Sequence, residues 1–154
     1  MSHDPTSDEN DAGAAGRVDA AEVVQQYFAR TMRGDLEAVE EYFAESPDYV
    51  LLAEGDPELA TIVPWAGRQA DREGIKRAYG MLLETLEVVD SRPGVMMSDG
   101  EHVSADGVFV YRVRPTGAVV TSAWAAHATV RGGRIVRFRF YEDSYAVARG
   151  MAVQ

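Results

Sequence analysis

DGVFVYRVRPTGAVVTSAWAAHATVRGGRIVRFRFYED, residues 106–143, contains three runs of alternating side chains. They are split at Arg114-Pro115-Thr116-Gly117 and at Arg131-Gly132-Gly133-Arg134, and glycine and proline at such points let a chain reverse between antiparallel strands. The stretch therefore reads as a three-stranded meander. A period of two then assigns faces. Phe109, Tyr111 and Val113, then Ser122, Trp124, Ala126, Ala128 and Val130, then Val136, Phe138 and Phe140 form one largely apolar face. The other carries Arg112, Arg114, Thr121, His127, Thr129, Arg137 and Arg139. A sheet with one apolar face needs apolar cover, and three helices upstream are placed to supply it.

The first of these begins at Asp19, an N-cap with Glu22 as its capping-box partner, and Val23, Val24, Tyr27, Phe28 and Met32 recur at helical spacing to about Arg33. Gly34 ends it, and Asp35 caps a second helix with the stripe Leu36, Val39, Phe43. After Ser46-Pro47 the run Tyr49–Ala53 reads as a short strand. Residues 54–70 read as a long loop whose apolar segment Ile62-Val63-Pro64-Trp65 is expected to fold down over the interior. Asp71 caps the third helix, with Ile75, Ala78, Tyr79, Leu82 and Leu86 along one side. Val88–Met97 begins the sheet proper and turns at Ser98-Asp99-Gly100, and residues 144–151 form one or two terminal helical turns. The order is helices first, then a curved sheet, an α+β class with one domain over residues 18–154. Residues 1–17 are acidic and small, and are expected to be a disordered tail.

Composition removes several chemistries. The chain of 154 residues has no cysteine, which excludes disulfides, thiolate nucleophiles and cysteine-based metal sites. Its three histidines, at 3, 102 and 127, do not have zinc-site spacing, so neither metal nor cofactor is expected. A net charge of -10 argues against nucleic acid as a partner. No apolar run approaches the roughly 20 residues that span a bilayer, and the N-terminus lacks a signal-peptide pattern, so a cytoplasmic location away from membranes is expected.

The order of elements, together with Gly34-Asp35-Leu36-Glu37-Ala38, Pro64-Trp65-Ala66-Gly67 before the Asp71 helix, and Gly133-Arg134-Ile135-Val136-Arg137-Phe138 leading to Tyr141-Glu142-Asp143, resembles the ketosteroid-isomerase-like superfamily, also called nuclear transport factor 2-like or SnoaL-like. The resemblance implies a cone-shaped barrel: a curved mixed, mostly antiparallel sheet packed on three N-terminal helices, of cystatin-like architecture. Ketosteroid isomerases use a helix-one tyrosine as oxyanion donor, and here that position is Tyr27. At their general base this chain has Leu52, which cannot carry a proton, and at their second oxyanion donor it has Ser122 or Ala123. Limonene epoxide hydrolases are similar in register through Pro115-Thr116-Gly117 and Gly133-Arg134-Ile135, but their Asp-Arg-Asp trio falls on Gly107, Phe109 and Phe140. Polyketide cyclases of the SnoaL-like group place an acid/base carboxylate near the end of the last strand, where Glu142 and Asp143 stand.

Parity separates these two. Glu142 shares its face with Val136, Phe138 and Phe140 and points inward, whereas Asp143 shares a face with Arg137 and Arg139 and is placed to cap the terminal helix. A carboxylate among Phe140, Trp124 and Tyr111 is desolvated and its pKa raised, which suits proton transfer. The expected catalytic set is Glu142 as proton carrier with Tyr27, Tyr111 and Ser122 as hydroxyl donors. Trp65, Phe109, Trp124 and Phe140 are expected to line a substrate pocket. The reading is a cofactor-free isomerase, cyclase or dehydratase acting on a small apolar polyketide-, terpenoid- or steroid-like molecule, as in secondary metabolism. The alternative is a non-catalytic binding or dimerisation module of the same fold. His127 falls on the outer face, which in the superfamily commonly joins two copies, so a homodimer is expected.

Overall fold

Asp19 starts the first helix as its sequence position requires, its carboxylate accepting the Ala21 amide at 3.0 Å. The computed structural model describes residues 19–152 apart from 53 and 55, so the expected acidic tail lies outside the described residues. Helix α1 spans Ala20–Met32 and stops where Gly34 takes a φ of +80°. Helix α2, Glu37–Tyr42, follows at once, with the Asp35 carboxylate accepting the Glu37 amide at 3.2 Å. Arg30 ties the pair together through Asp35 at 2.8 Å and through Glu41.

Two expectations for the next segment need correction. Strand β1 is Phe43–Leu51, six residues earlier than Tyr49, and it passes through Pro47. The proline is tolerated because the ladder slips between Phe43 and Asp48, so no strand hydrogen bond is required of its missing N–H. The supposed loop over 54–70 holds helix α3, Pro57–Ile62, and the short strand β2, Gly67–Gln69. Asp56 accepts from the Glu58 and Leu59 amides with Pro57 in the first turn, a start signal that the surrounding prolines and glycines obscured. Helix α4, Arg72–Thr85, is capped by Asp71, which accepts the Gly74 amide at 2.8 Å.

The sheet then forms from β3 Leu86–Ser98, β4 His102–Val113, β5 Val119–Arg131 and β6 Arg134–Glu142, and helix α5, Ser144–Ala152, closes the chain. Asp143 caps α5 by accepting the Ala146 amide at 3.0 Å. Strand order is β2-β1-β6-β5-β4-β3, antiparallel throughout except for the parallel β1/β6 pair, and the sheet stays open between β2 and β3. Bulges in β1, β3 and β6 bend it around α1, which packs against β3, β4, β5 and β6. No described helix is long and apolar enough to cross a membrane.

The inward face matches the alternation along β4 and β5, with Phe109, Tyr111, Val113, Ser122, Ala126, Ala128 and Val130 all buried. On β6 the expectation for Val136 fails. Thr129 pairs with Arg137 but Val130 pairs with Ile135, so a bulge sits at Val136 and the fully buried residue is Ile135. Phe138 and Phe140 resume the inward register. One part of the core is an aromatic knot in which Phe138 lies 5.6 Å from Tyr27, 5.8 Å from Phe43 and 5.4 Å from Tyr49 between ring centroids.

Candidate active site

Glu142 is the last residue of β6 and stands opposite Trp124 of β5, on the inner face that parity assigns it. Tyr111, on β4, donates its hydroxyl to Glu142 Oε1 at 2.6 Å. Ser122 Oγ lies 3.5 Å from Glu142 Oε2, a long contact, and only 3.2 Å from the Ala123 carbonyl. A hydroxyl has one proton to give, so Oε2 is the less engaged carboxylate oxygen. Ser122 also accepts the Asp143 amide at 3.1 Å, which fixes the backbone immediately after Glu142.

Burial pushes the Glu142 carboxyl up from 4.5 to about 7, while the Tyr111 and Ser122 hydrogen bonds pull it down by less. Burial and the adjacent carboxylate hold the Tyr111 phenol far above its ordinary pKa, so it remains a donor. The surface that Glu142 keeps faces a cavity of about 40 Å3, whose walls include Phe28 and Met32 of α1, Tyr79 and Leu82 of α4, Leu51 and Phe140. A second pocket of about 200 Å3, open to solvent on the side where Val95 is 61% exposed, adjoins it, bounded by Trp124, Pro93, Met96 and Ala105, and shares Phe28, Met32 and Phe109 with the first.

The sequence-derived residues divide accordingly. Glu142, Tyr111, Phe109 and Phe140 meet at the small cavity, Ser122 supports Glu142 from behind, and Trp124 lines the larger space. Tyr27 and Trp65 line neither cavity. Tyr27 is fully buried in the aromatic knot and Trp65 is 2% exposed, both held as core. The hydroxyls of Tyr27 and Tyr49 influence each other's ionisation, yet neither reaches hydrogen-bond geometry. Leu52, at the base position of ketosteroid isomerases, is also buried and off the cavity wall. Sequence reasoning missed Tyr79. It stood in the apolar stripe of α4, and only the crossing of α4 over the sheet brings it to the cavity that Glu142 also lines, where burial foremost, and the Glu142 charge after it, raise its pKa against the opposing effect of Thr31.

Comparison with known proteins agrees with the fold. The sequence pattern of the SnoaL-like domain matches residues 24–138. Patulin synthesis protein F of Aspergillus clavatus is similar at 33% identity over 104 residues, 65% of this chain and 52% of that protein. The chain thus spans about half the length of that curated relative. An NTF2-like protein from Burkholderia thailandensis has a similar fold, with a TM-score of 0.73 at 22% identity over 87% of this chain and 98% of its own. So does TerC co-crystallised with polyporic acid, with a TM-score of 0.69 at 19% identity over 84% of this chain and 95% of its own. At these identities the solved structures speak to fold alone.

Proposed function

The chain belongs to the SnoaL-like domain family, and from that premise we propose that it is a cofactor-free acid/base enzyme of isomerase, cyclase or dehydratase type. Its substrate is a small, largely apolar molecule of polyketide, terpenoid or steroid type. The observation that carries this reading is Glu142, a part-buried carboxylate clamped by Tyr111 on the wall of an apolar cavity, with a pKa pushed up to about 7. A carboxylate so tuned is partly ionised near neutrality and can both take and return a proton. Glu142 Oε2 removes the proton from a carbon beside a substrate carbonyl, and the Tyr79 phenol is the cavity-wall donor available to the developing enolate oxygen. Tyr111 stays bonded to Oε1 and orients the carboxylate. A relative named for patulin synthesis supports a small organic substrate.

The non-catalytic reading draws on one observation: the space directly over Glu142 is only about 40 Å3. Proton exchange separates the two. In D2O, with a panel of cyclic β,γ-enones and 1,3-diketones, the enzyme is expected to speed deuterium incorporation beside the carbonyl, read by mass spectrometry. Glu142→Gln abolishes the acceleration. If no member of the panel exchanges above the buffer rate, or if Glu142→Gln exchanges as fast as the parent, the acid/base assignment is wrong.

A further inference from the structure

The two cavities differ fivefold in size, and that difference says which part of a substrate each can take. A water molecule occupies roughly 10–15 Å3 of such space, and an engineered apolar cavity of about 150 Å3 holds benzene. The Glu142 cavity, about 40 Å3, therefore accepts the oxygenated edge of a molecule, a carbonyl and the carbon beside it, or a few waters, but not a whole ring. Its neighbour, about 200 Å3, has room for one ring.

The larger cavity is built by a specific deformation. On β3, Pro93 pairs with Gly107 and Met96 with Ala105, so Gly94 and Val95 together face the single residue Asp106. This is a bulge, and Asp106 holds it open by accepting the Val95 amide at 2.9 Å. A Cβ on Gly94 would lie 1.9 Å from that carboxylate oxygen, so a larger side chain there would displace Asp106. A Cβ on Gly107 would lie 2.8 Å from both the Trp124 ring and the Arg92 carbonyl, so glycine lets the indole lie flat against β4. Trp124 in turn lies nearly parallel to Phe109 and Phe140, with centroids 5.5 Å away on each and interplanar angles of 18° and 21°. Flat aromatic faces next to a ring-sized space favour a planar guest.

We propose that the space behind the β3 bulge is the substrate's ring-binding compartment, so that a planar aromatic or conjugated ring lodges against Trp124 and Phe109 and only its oxygenated edge reaches across Phe28 and Met32 to Glu142. This deepens the acid/base reading and rests on it for the identity of the reacting end. Substrates are then planar and cyclic with an oxygen on one edge, and the bulge, not the catalytic carboxylate, sets the ring size accepted.

The test uses the full chain, 15N-labelled, titrated with 2-naphthol and followed by NMR. The Trp124 indole N–H signal, told apart from that of Trp65 by its absence in Trp124→Phe, is expected to shift saturably. Naphthol protons show cross-relaxation to the Met96 methyl group. Ala105→Leu, which fills the compartment, weakens naphthol binding tenfold or more. If that variant does not fold, the Met96 contact in the parent chain decides. A Trp124 signal that stays fixed to the solubility limit, absent Met96 contacts, or unchanged affinity in a folded Ala105→Leu overturns the proposal. These signals do not depend on turnover. Naphthol seated behind the bulge without deuterium exchange rejects the acid/base reading alone, and exchange with naphthol seated elsewhere rejects the ring compartment alone.

Discussion

Glu142 stands on the inner face because a strand's period of two leaves no choice: once Phe138 and Phe140 face inward, so does Glu142. What surrounds it was legible only in part. Parity gave Tyr111 and Ser122 their face, whereas the burial of Tyr27 and Trp65 away from the cavity and the arrival of Tyr79 depend on helix placement, which no local pattern encodes. The raised pKa has a thermodynamic signature besides its chemical use. A carboxyl whose folded pKa lies above its unfolded value is protonated in the native state while the unfolded chain has already lost the proton. Between the ordinary value of 4.5 and about 7 the native state therefore binds more protons, and stability falls as pH rises through that window. A glutamine at this position keeps an acceptor for Tyr111 and does not titrate. The stability of Glu142→Gln relative to the parent, from urea unfolding, is expected to rise by about 2–3 kcal/mol between pH 4.5 and pH 8. Parallel profiles for the two proteins across that range would mean that Glu142 ionises as freely in the fold as in water.

Helices α1 and α4 and the β4–β6 meander were readable as elements because each carries its own punctuation: Asp19 and Asp71 caps, and turns at Gly117 and Gly132-Gly133 that take positive φ. Helix α3 was not, since six residues between prolines and glycines give too short a periodic stripe to outweigh the breakers around it. The bulges at Val136 and Gly94-Val95 were hidden for a related reason, because an inserted residue is defined by its partner strand and not by its own sequence. Helix α5 shows how one residue sets the docking of an element. Gly150 packs on β5 so closely that a Cβ there would lie 2.4 Å from Val120 Cγ2, and its carbonyl accepts the Thr116 hydroxyl at 2.9 Å. Val120 is β-branched and 7% exposed, so it has little freedom to withdraw. Gly150→Ala is expected to gain helix propensity yet lose about 1–2 kcal/mol net through overpacking. Limited proteolysis should then cut near Ser144 several times faster than in the parent. An unchanged cleavage rate together with higher stability would show that α5 docks with slack at this point.

The N-terminal half of the chain joins the meander along the parallel β1/β6 pair, and no local signal in the sequence announces that junction. A parallel pairing of residues 43–51 with 135–140 has no turn to announce it. The end of α2 and the bulge in β1 leave carbonyls without backbone partners, and arginines take their place. Arg72 reaches the Phe43 carbonyl at 2.7 Å, Arg134 reaches those of Glu40 and Glu41 at 2.8 and 2.7 Å, and Arg139 reaches that of Asp48 at 3.0 Å. An acidic chain thus uses its few cations as seams between halves. Arg139 is 7% exposed, and its charge is met by both oxygens of Asp48 at 3.0 Å, while Arg68 holds the same carboxylate from β2. These partners, Arg68 foremost, hold the Asp48 carboxyl below its ordinary 3.8. Its contribution is therefore present above 3.8 and is lost as pH falls through the lower folded value. Breaking a buried pair costs about 3–5 kcal/mol and a surface pair about 0–1; Asp48 is 43% exposed, which places Asp48→Asn at about 1–3 kcal/mol. Urea unfolding should show that deficit near pH 7 and a narrowing gap as pH falls well below 3.8, where the parent's own carboxylate takes up a proton. A deficit of the same size at both pH values would assign the loss to packing, and the seam would then owe its strength to the arginine–carbonyl bonds alone.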